Sequence, residues 1–231
     1  GSEKLAFIDL VKEWEGALAK INEQLASLGI KFSDVDYLVL NHMEPDHTGS
    51  LEEMRRENPG MEILCTKRAV PLVSSFYGVT DGVRAVTSGD SIDLGGKTLV
   101  FEETPNIHWP ETMMTYVPED KVLFSCDAFG SFGTYEHAFD DELTQKEWDL
   151  LIPETQRYYA NIVSSFSTFV TKGIAKLDNL DIKIVAPSHG IVWRKNPEKV
   201  INLYKEYALC MNTPPKDTIT IIYSSMYGNS A

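Results

Sequence analysis

Short apolar runs alternate with stretches of helical spacing along the first ninety residues. Leu5 to Asp9 reads as a strand with no earlier strand to pair with. Trp14, Leu18, Ile21, Leu25 and Leu28 then recur at the interval of one helix face, and Gly29 suits the position just past a helix end. Val35 to Leu40 is a short apolar strand. Thr48-Gly49-Ser50 opens a helix running to about Glu57, which Asn58-Pro59-Gly60 stops. Met61 to Cys65 reads as a buried strand, Ala69 to Phe76 as a helix and Val83 to Val86 as another strand. This alternation predicts a sheet covered by helices.

The pattern then changes. Ile92 to Leu94 and Thr98 to Glu102 flank Gly95-Gly96, which predicts a hairpin. Met113 to Val117 and Val122 to Ser125 predict a second one. Leu143 to Leu177 is helical in spacing, with a break expected near Pro153. Ile182 to Ala186 is a strand and Pro197 to Met211 a last helix. Residues 212–217, Asn-Thr-Pro-Pro-Lys-Asp, read as a linker, and Thr218 to Tyr223 as a new strand entering Ser224-Ser225-Met226-Tyr227-Gly228-Asn229. A strand that enters a small, hydroxyl-rich loop is how a phosphate cradle begins.

Composition narrows the class. The 231 residues suit one large domain or two small ones, and the net charge of -13 argues against a nucleic-acid partner. No apolar run approaches the roughly 18 residues of a membrane span. Cys65, Cys126 and Cys210 are too few and too widely spaced for a disulfide framework, which predicts a cytoplasmic protein with Cys65 and Cys210 as small buried residues. Cys126 would neighbour any site that uses Asp127.

The chemistry concentrates at strand ends. After the strand at 35–40 the chain reads NHMEPDHTGS, with His42, Glu44, Asp46 and His47 in six residues. So many donors in one loop resist burial unless a cation lies among them. His108, Asp127 and His189 each follow another strand, and sites in sheet-based folds gather at such ends. His42, Glu44, His108 and Asp127 would complete one metal's shell. Asp46, His47, His189 and Asp127 would complete a second, with Asp127 bridging ions roughly 3.5–4 Å apart. His137 has no place in either set and reads as a surface histidine or one just outside the site.

The set H-x-E-x-D-H, with NHMEPDHTGS, HWPETM, FSCDAFGSFG and APSHG, resembles the metallo-β-lactamase-like domain of flavodiiron proteins. ITIIYSSMYGNS resembles the start of that family's flavodoxin domain. The resemblance implies an α/β fold, an αββα sandwich. It divides the chain into a diiron domain at 3–211 lacking its first strands, the linker at 212–217, and a flavodoxin stub at 218–231. It implies a pair of iron ions on His42, Glu44, Asp46, His47, His108, Asp127 and His189, with Glu44, His47 and Asp127 as the catalytic residues. At the position of His47 the family is not uniform in ligating iron. It implies FMN in the full-length family, touched here only by the loop at Ser224, Ser225, Met226, Tyr227, Gly228 and Asn229, so that this chain is not expected to bind it. The implied reaction is reduction of dioxygen to water or of nitric oxide to nitrous oxide. Electrons would come through a flavodoxin domain and a rubredoxin-like donor, in a head-to-tail homodimer or a tetramer. Trp109 and Tyr158 are candidate pocket residues. Two alternatives remain: an O2-binding diiron sensor without flavin, and a zinc-dependent hydrolase of the same fold. Zinc hydrolases carry His where this chain has Glu44, and the harder oxygen donor favours iron.

Overall fold

The computed structural model describes residues 1–12, 14 and 16–210. Two sheets lie face to face with helices on their outer sides. The first sheet has the order β1-β2-β3-β4, formed by Ala6–Ile8, Tyr37–Leu40, Glu62–Thr66 and Val83–Val86, all parallel. The second has the order β5-β6-β7-β8-β9, formed by Ser91–Asp93, Thr98–Glu103, Met113–Val117, Val122–Cys126 and Ile184–Pro187. It is antiparallel except for the parallel β8–β9 pair.

Side-chain alternation along the strands builds three apolar layers. Tyr37, Val39, Leu64, Leu99, Phe101, Met113 and Val117 meet between the sheets. Leu38, Leu40, Ile63 and Cys65 point the other way, into a core under helices α1 (Ala17–Ser27), α3 (Leu51–Glu57) and α4 (Val70–Tyr77). Met114, Tyr116, Leu123 and Val185 pack beneath α5 (Gln145–Tyr158), α6 (Ser167–Leu177) and α7 (Pro197–Leu209). Strands β2, β3 and β7 are buried on both faces, which is why they read as continuous apolar runs.

The αββα expectation holds, and most strand positions lie within two residues of those read from the sequence. The differences have causes. The first strand pairs with a later one, Ala6 to Ile8 lying parallel to Tyr37 to Val39 at the edge of the sheet, in keeping with the absence of an earlier strand to pair with. Trp14 lies ahead of α1 and is exposed, because the helix begins only at Ala17. The helix expected from Thr48 is two helices, the short α2 (Pro45–Thr48) and α3, with Pro45 pre-set for a first helical turn. Pro153 does not break the helix that holds it. The buried side chains of Leu151, Thr155 and Tyr158 hold α5 through it, and the interruption falls at a π turn over Tyr159–Val163 and a 3-10 turn over Ser164–Phe166. Cys65 and Cys126 are buried, whereas Cys210 is exposed at the end of α7. Gly95 and Gly96 both have positive φ, the requirement of a tight hairpin turn. The linker, the strand at 218–223 and the loop at 224–229 lie outside the described residues. No helix among the described residues is long and apolar enough to cross a membrane.

Candidate metal centre

Four loops at one end of the sandwich carry the strand-end residues. The chain leaves β2 at Leu40, and Asn41 is pinned at once. Its N–H donates to Asp9 Oδ1 at 2.7 Å, and its carbonyl accepts from Met113 N at 3.0 Å. Those bonds tie the loop to both sheets, with His42 between them. Pro45 then starts α2, which carries Asp46 and His47. His108 lies in a loop closed by Thr112, whose hydroxyl donates to the Thr104 carbonyl at 2.6 Å. Asp127 follows β8 through Cys126, which has a φ of 55° and turns the chain sharply at the strand end. A side chain in that region carries a cost of roughly 1–2 kcal/mol, which the buried surroundings hold in place. His189 follows β9, and Gly190 after it has a φ of 90° with Ser131 so close that a Cβ would lie 2.2 Å from its Oγ.

All seven residues singled out in the sequence come together, each histidine through its Nε2. Asp127 divides them. Its Oδ2 lies 3.2 Å from His108 and 3.4 Å from His42, and Glu44 Oε2 lies 3.1 Å and 3.3 Å from the same two nitrogens. Its Oδ1 lies 3.0 Å from His47 and 3.2 Å from His189, with Asp46 Oδ2 at 3.6 Å and 3.3 Å from those two. Edges of about this length join donors that share one ion at bonds of roughly 2.1 Å.

The donor set fits a cation by a second observation. Asp46 Oδ1, His47 Nε2 and Asp127 Oδ1 are buried and make no hydrogen bond, although the last two lie 3.0 Å apart. Buried polar atoms without partners are costly in a folded chain. His42, Glu44, His108 and Asp127 form one group of converging ligand atoms, and Asp46, His47 and His189 form another. A third group, Asp9, His47 and Cys126, lies behind His47.

The charges are strongly coupled. Burial opposes charge on His42, but hydrogen bonds to Glu111 and Glu44 outweigh it and raise its pKa to about 9. The nearby carboxylates of Asp127 and Asp46 raise His189 to about 9 against burial. His47 is raised as well, since the carboxylates of Asp127 and Asp9 outweigh its burial. Burial disfavours the Asp127 carboxylate, yet His108, His189 and His47 hold it well below the ordinary carboxylate range. Glu44 is lowered chiefly by His42. Asp46 is lowered despite its burial, mainly through His189. A chain without metal therefore holds protons on His42 and His189 at neutral pH, and a cation must displace them.

Two acids that sequence reasoning passed over support the centre from behind. Glu111 Oε1 lies 2.8 Å from His42 Nδ1 and accepts from Met43 N at 3.1 Å. Asp9 Oδ2 lies 3.5 Å from His47 Nδ1. Both had a signal: Asp9 ends an apolar strand as Asp127 does, and Glu111 stands three residues after His108. The Trp109 ring packs edge-on 5.0 Å from His42, and the Tyr158 ring lies 5.7 Å from that of His189. Cys126 Sγ is 3.9 Å from His47 Nδ1. His137 lies apart, bonded to Glu147 at 2.9 Å next to the start of α5.

A family model described as ODP family beta lactamase matches residues 15–190. The chain belongs to that family. Among its ODP relatives, the anaerobic nitric oxide reductase flavorubredoxin of Aeromonas hydrophila is 45% identical over 205 residues, 87% of this chain and 40% of that protein. The flavorubredoxin homolog of Escherichia coli O157:H7 is 42% identical over the same length, 48% of that protein. Among solved structures, a flavoprotein from Thermotoga maritima superposes with a TM-score of 0.78 at 32% identity, covering 88% of this chain and 49% of that one. Rubredoxin oxygen:oxidoreductase from Desulfovibrio gigas gives 0.80 at 30% identity, covering 88% and 50%. This ODP chain thus spans about half the length of these four proteins or less.

Proposed function

We propose that the chain is the catalytic half of a diiron reductase that converts nitric oxide to nitrous oxide, dioxygen to water, or both. The observation that carries this reading is Asp127, whose two oxygens face two separate sets of histidine and carboxylate donors. The names of the relatives support the reaction class, and neither a flavin-free sensor nor a zinc hydrolase draws support from them.

Iron ions, when bound, would supply electrons and open coordination positions for the diatomic. The chain's own part is separate. Glu44, Asp46 and Asp127 supply negative charge that offsets two ferrous ions without neutralising them fully. Asp127 holds the two donor sets at a fixed separation. His42 and His189 give up their protons on loading, so the site delivers neutral imidazoles. The Trp109 and Tyr158 rings wall the site with apolar surface, which suits small neutral substrates.

In the same reading, residues 3–211 form the metal domain, 212–217 a linker and 218–231 the start of a flavodoxin-like domain. FMN there would pass on electrons from a rubredoxin-like donor, with a head-to-tail dimer bringing one subunit's flavin to the other's irons. The thiols of Cys65, Cys126 and Cys210 are free, which accords with a cytoplasmic home.

The test is anaerobic reconstitution with ferrous salt, an iron count, and then consumption of nitric oxide and of dioxygen with a reduced flavodoxin or rubredoxin. Two irons per chain and rapid consumption of either gas are expected. Binding of a single iron, or zinc-dependent cleavage of a lactone or phosphodiester without gas consumption, would overturn the proposal.

A further inference from the structure

We infer that Glu111 is the positioning residue for His42: one carboxylate oxygen holds both the imidazole Nδ1–H and the loop N–H at Met43, and so aims Nε2 at Glu44 and Asp127. The inference rests on the metal-site reading above. Its geometry is specific. Glu111 is 3% exposed, its Oε1 is 2.8 Å from His42 Nδ1, and it accepts from Met43 N at 3.1 Å. A carboxylate has no proton to give, so with an ion bound His42 would keep its proton on Nδ1, toward Glu111, and present the Nε2 lone pair to the ion, on the side where Glu44 Oε2 lies at 3.3 Å and Asp127 Oδ2 at 3.4 Å.

Glu111 is itself fixed. Its carbonyl accepts from Thr66 Oγ1 at 2.8 Å, at the end of β3. It also shares a loop with His108. One segment therefore supplies one donor of the Glu44 side and orients another, so His42 and His108 are set against each other by the same stretch of backbone. Outer partners of this kind typically change metal affinity 10–100-fold when lost.

Glu111→Gln keeps the shape and can still accept from Met43 N, but it loses the charge. Its amide can also turn and donate to Nδ1, moving the proton to Nε2. Metal binding by the full chain is measured with cobalt(II) under anaerobic conditions, by titration calorimetry and the visible spectrum. The parent is expected to bind two ions. The variant is expected to bind one as the parent does and the other about 10- to 100-fold more weakly, with a changed cobalt spectrum. Nitrogen-15 NMR of the zinc-loaded parent is expected to show His42 protonated at Nδ1, and this reading serves even if the variant does not fold. Glu111→Asp, which keeps the charge, is expected to recover part of the affinity. A parent that binds fewer than two ions would count against the metal-site reading itself. A two-ion parent with an unaltered Glu111→Gln variant, or with His42 protonated at Nε2, would overturn the role of Glu111 alone.

Discussion

The two sides of Asp127 have the same donor types but not the same support. On the Oδ2 side the His42 side chain is fully enclosed and held at 2.8 Å by Glu111, whose own side chain is 2% exposed. On the Oδ1 side His47 is nearly as enclosed, yet among the described residues its Nδ1 faces Asp9 at 3.5 Å and the Cys126 thiol at 3.9 Å. The remaining histidines differ too: His108 is 15% exposed and His189 38%. Glu44 and Asp46 are equally exposed, so the carboxylates do not account for the contrast. Equal ligand counts therefore give unequal stiffness. The Glu44 side should bind its ion first and release it last, because less reorganisation is needed there.

Asp127→Asn removes what the two sides share and should have the largest effect. Asparagine keeps the volume but leaves four imidazoles without their central anion. Breaking a buried charge pair by removing one partner costs about 3–5 kcal/mol. Urea unfolding of the metal-free variant at neutral pH should show a loss of that order, and bound iron should fall from two to at most one. Parent-like stability together with two bound ions would mean that no carboxylate joins the sides.

A somewhat smaller effect follows from pH and separates the two sides. The pKa of His42 is about 9 in the folded chain against an ordinary 6.5 for histidine. A folded pKa raised above the unfolded one contributes stability that is fully present below pH 6.5 and lost as pH rises through 9. The shift corresponds to at most about 3 kcal/mol at 1.36 kcal/mol per unit. His189 has a similar pKa but is 38% exposed, so solvent screening reduces its share. The metal-free chain should thus lose stability between pH 6.5 and 9, and His42→Gln should flatten that slope more than His189→Gln. The depressed carboxylates of Glu44, Asp46 and Asp127 work at the other end: their contribution is present above about pH 4.5 and falls away in acid. Equal flattening by the two histidine variants would remove the asymmetry.

Much of this is legible in the sequence. Strands buried on both faces announce themselves as apolar runs, and the seven donors stand at strand ends, where spacing along the chain points to convergence. What escaped was information carried by neighbours in space. Glu111 lies sixty-nine residues from His42, and nothing local marks an acid in Pro110-Glu111-Thr112 as a partner for a ring on another sheet. Asp9 was visible as the end of a strand, but its role depends on the parallel β1–β2 pairing, which the sequence does not specify. The misplaced helix break has a similar origin. Pro153 is a strong local signal, and the packing of Leu151, Thr155 and Tyr158 overrides it.

The smallest effect belongs to Cys126, and it tests whether the Oδ1 side is as loosely supported as its distances imply. At 3.9 Å its thiol is a weak partner for His47, and burial pushes its pKa up, so it remains neutral. Cys126→Ala should leave both metal affinities within about threefold of the parent and cost roughly 1 kcal/mol of stability, a typical core truncation of this size. Its backbone offers an internal control. The φ of 55° is costly for alanine as for cysteine, whereas glycine adopts it freely. Cys126→Gly should therefore be more stable than Cys126→Ala by about 1 kcal/mol, although it buries less. Calorimetric melts of the two variants check that order, and cobalt titrations check the affinities. If removing the thiol weakened one ion as much as Glu111→Gln is expected to, Cys126 would hold His47 as firmly as Glu111 holds His42, and the two sides would be alike after all.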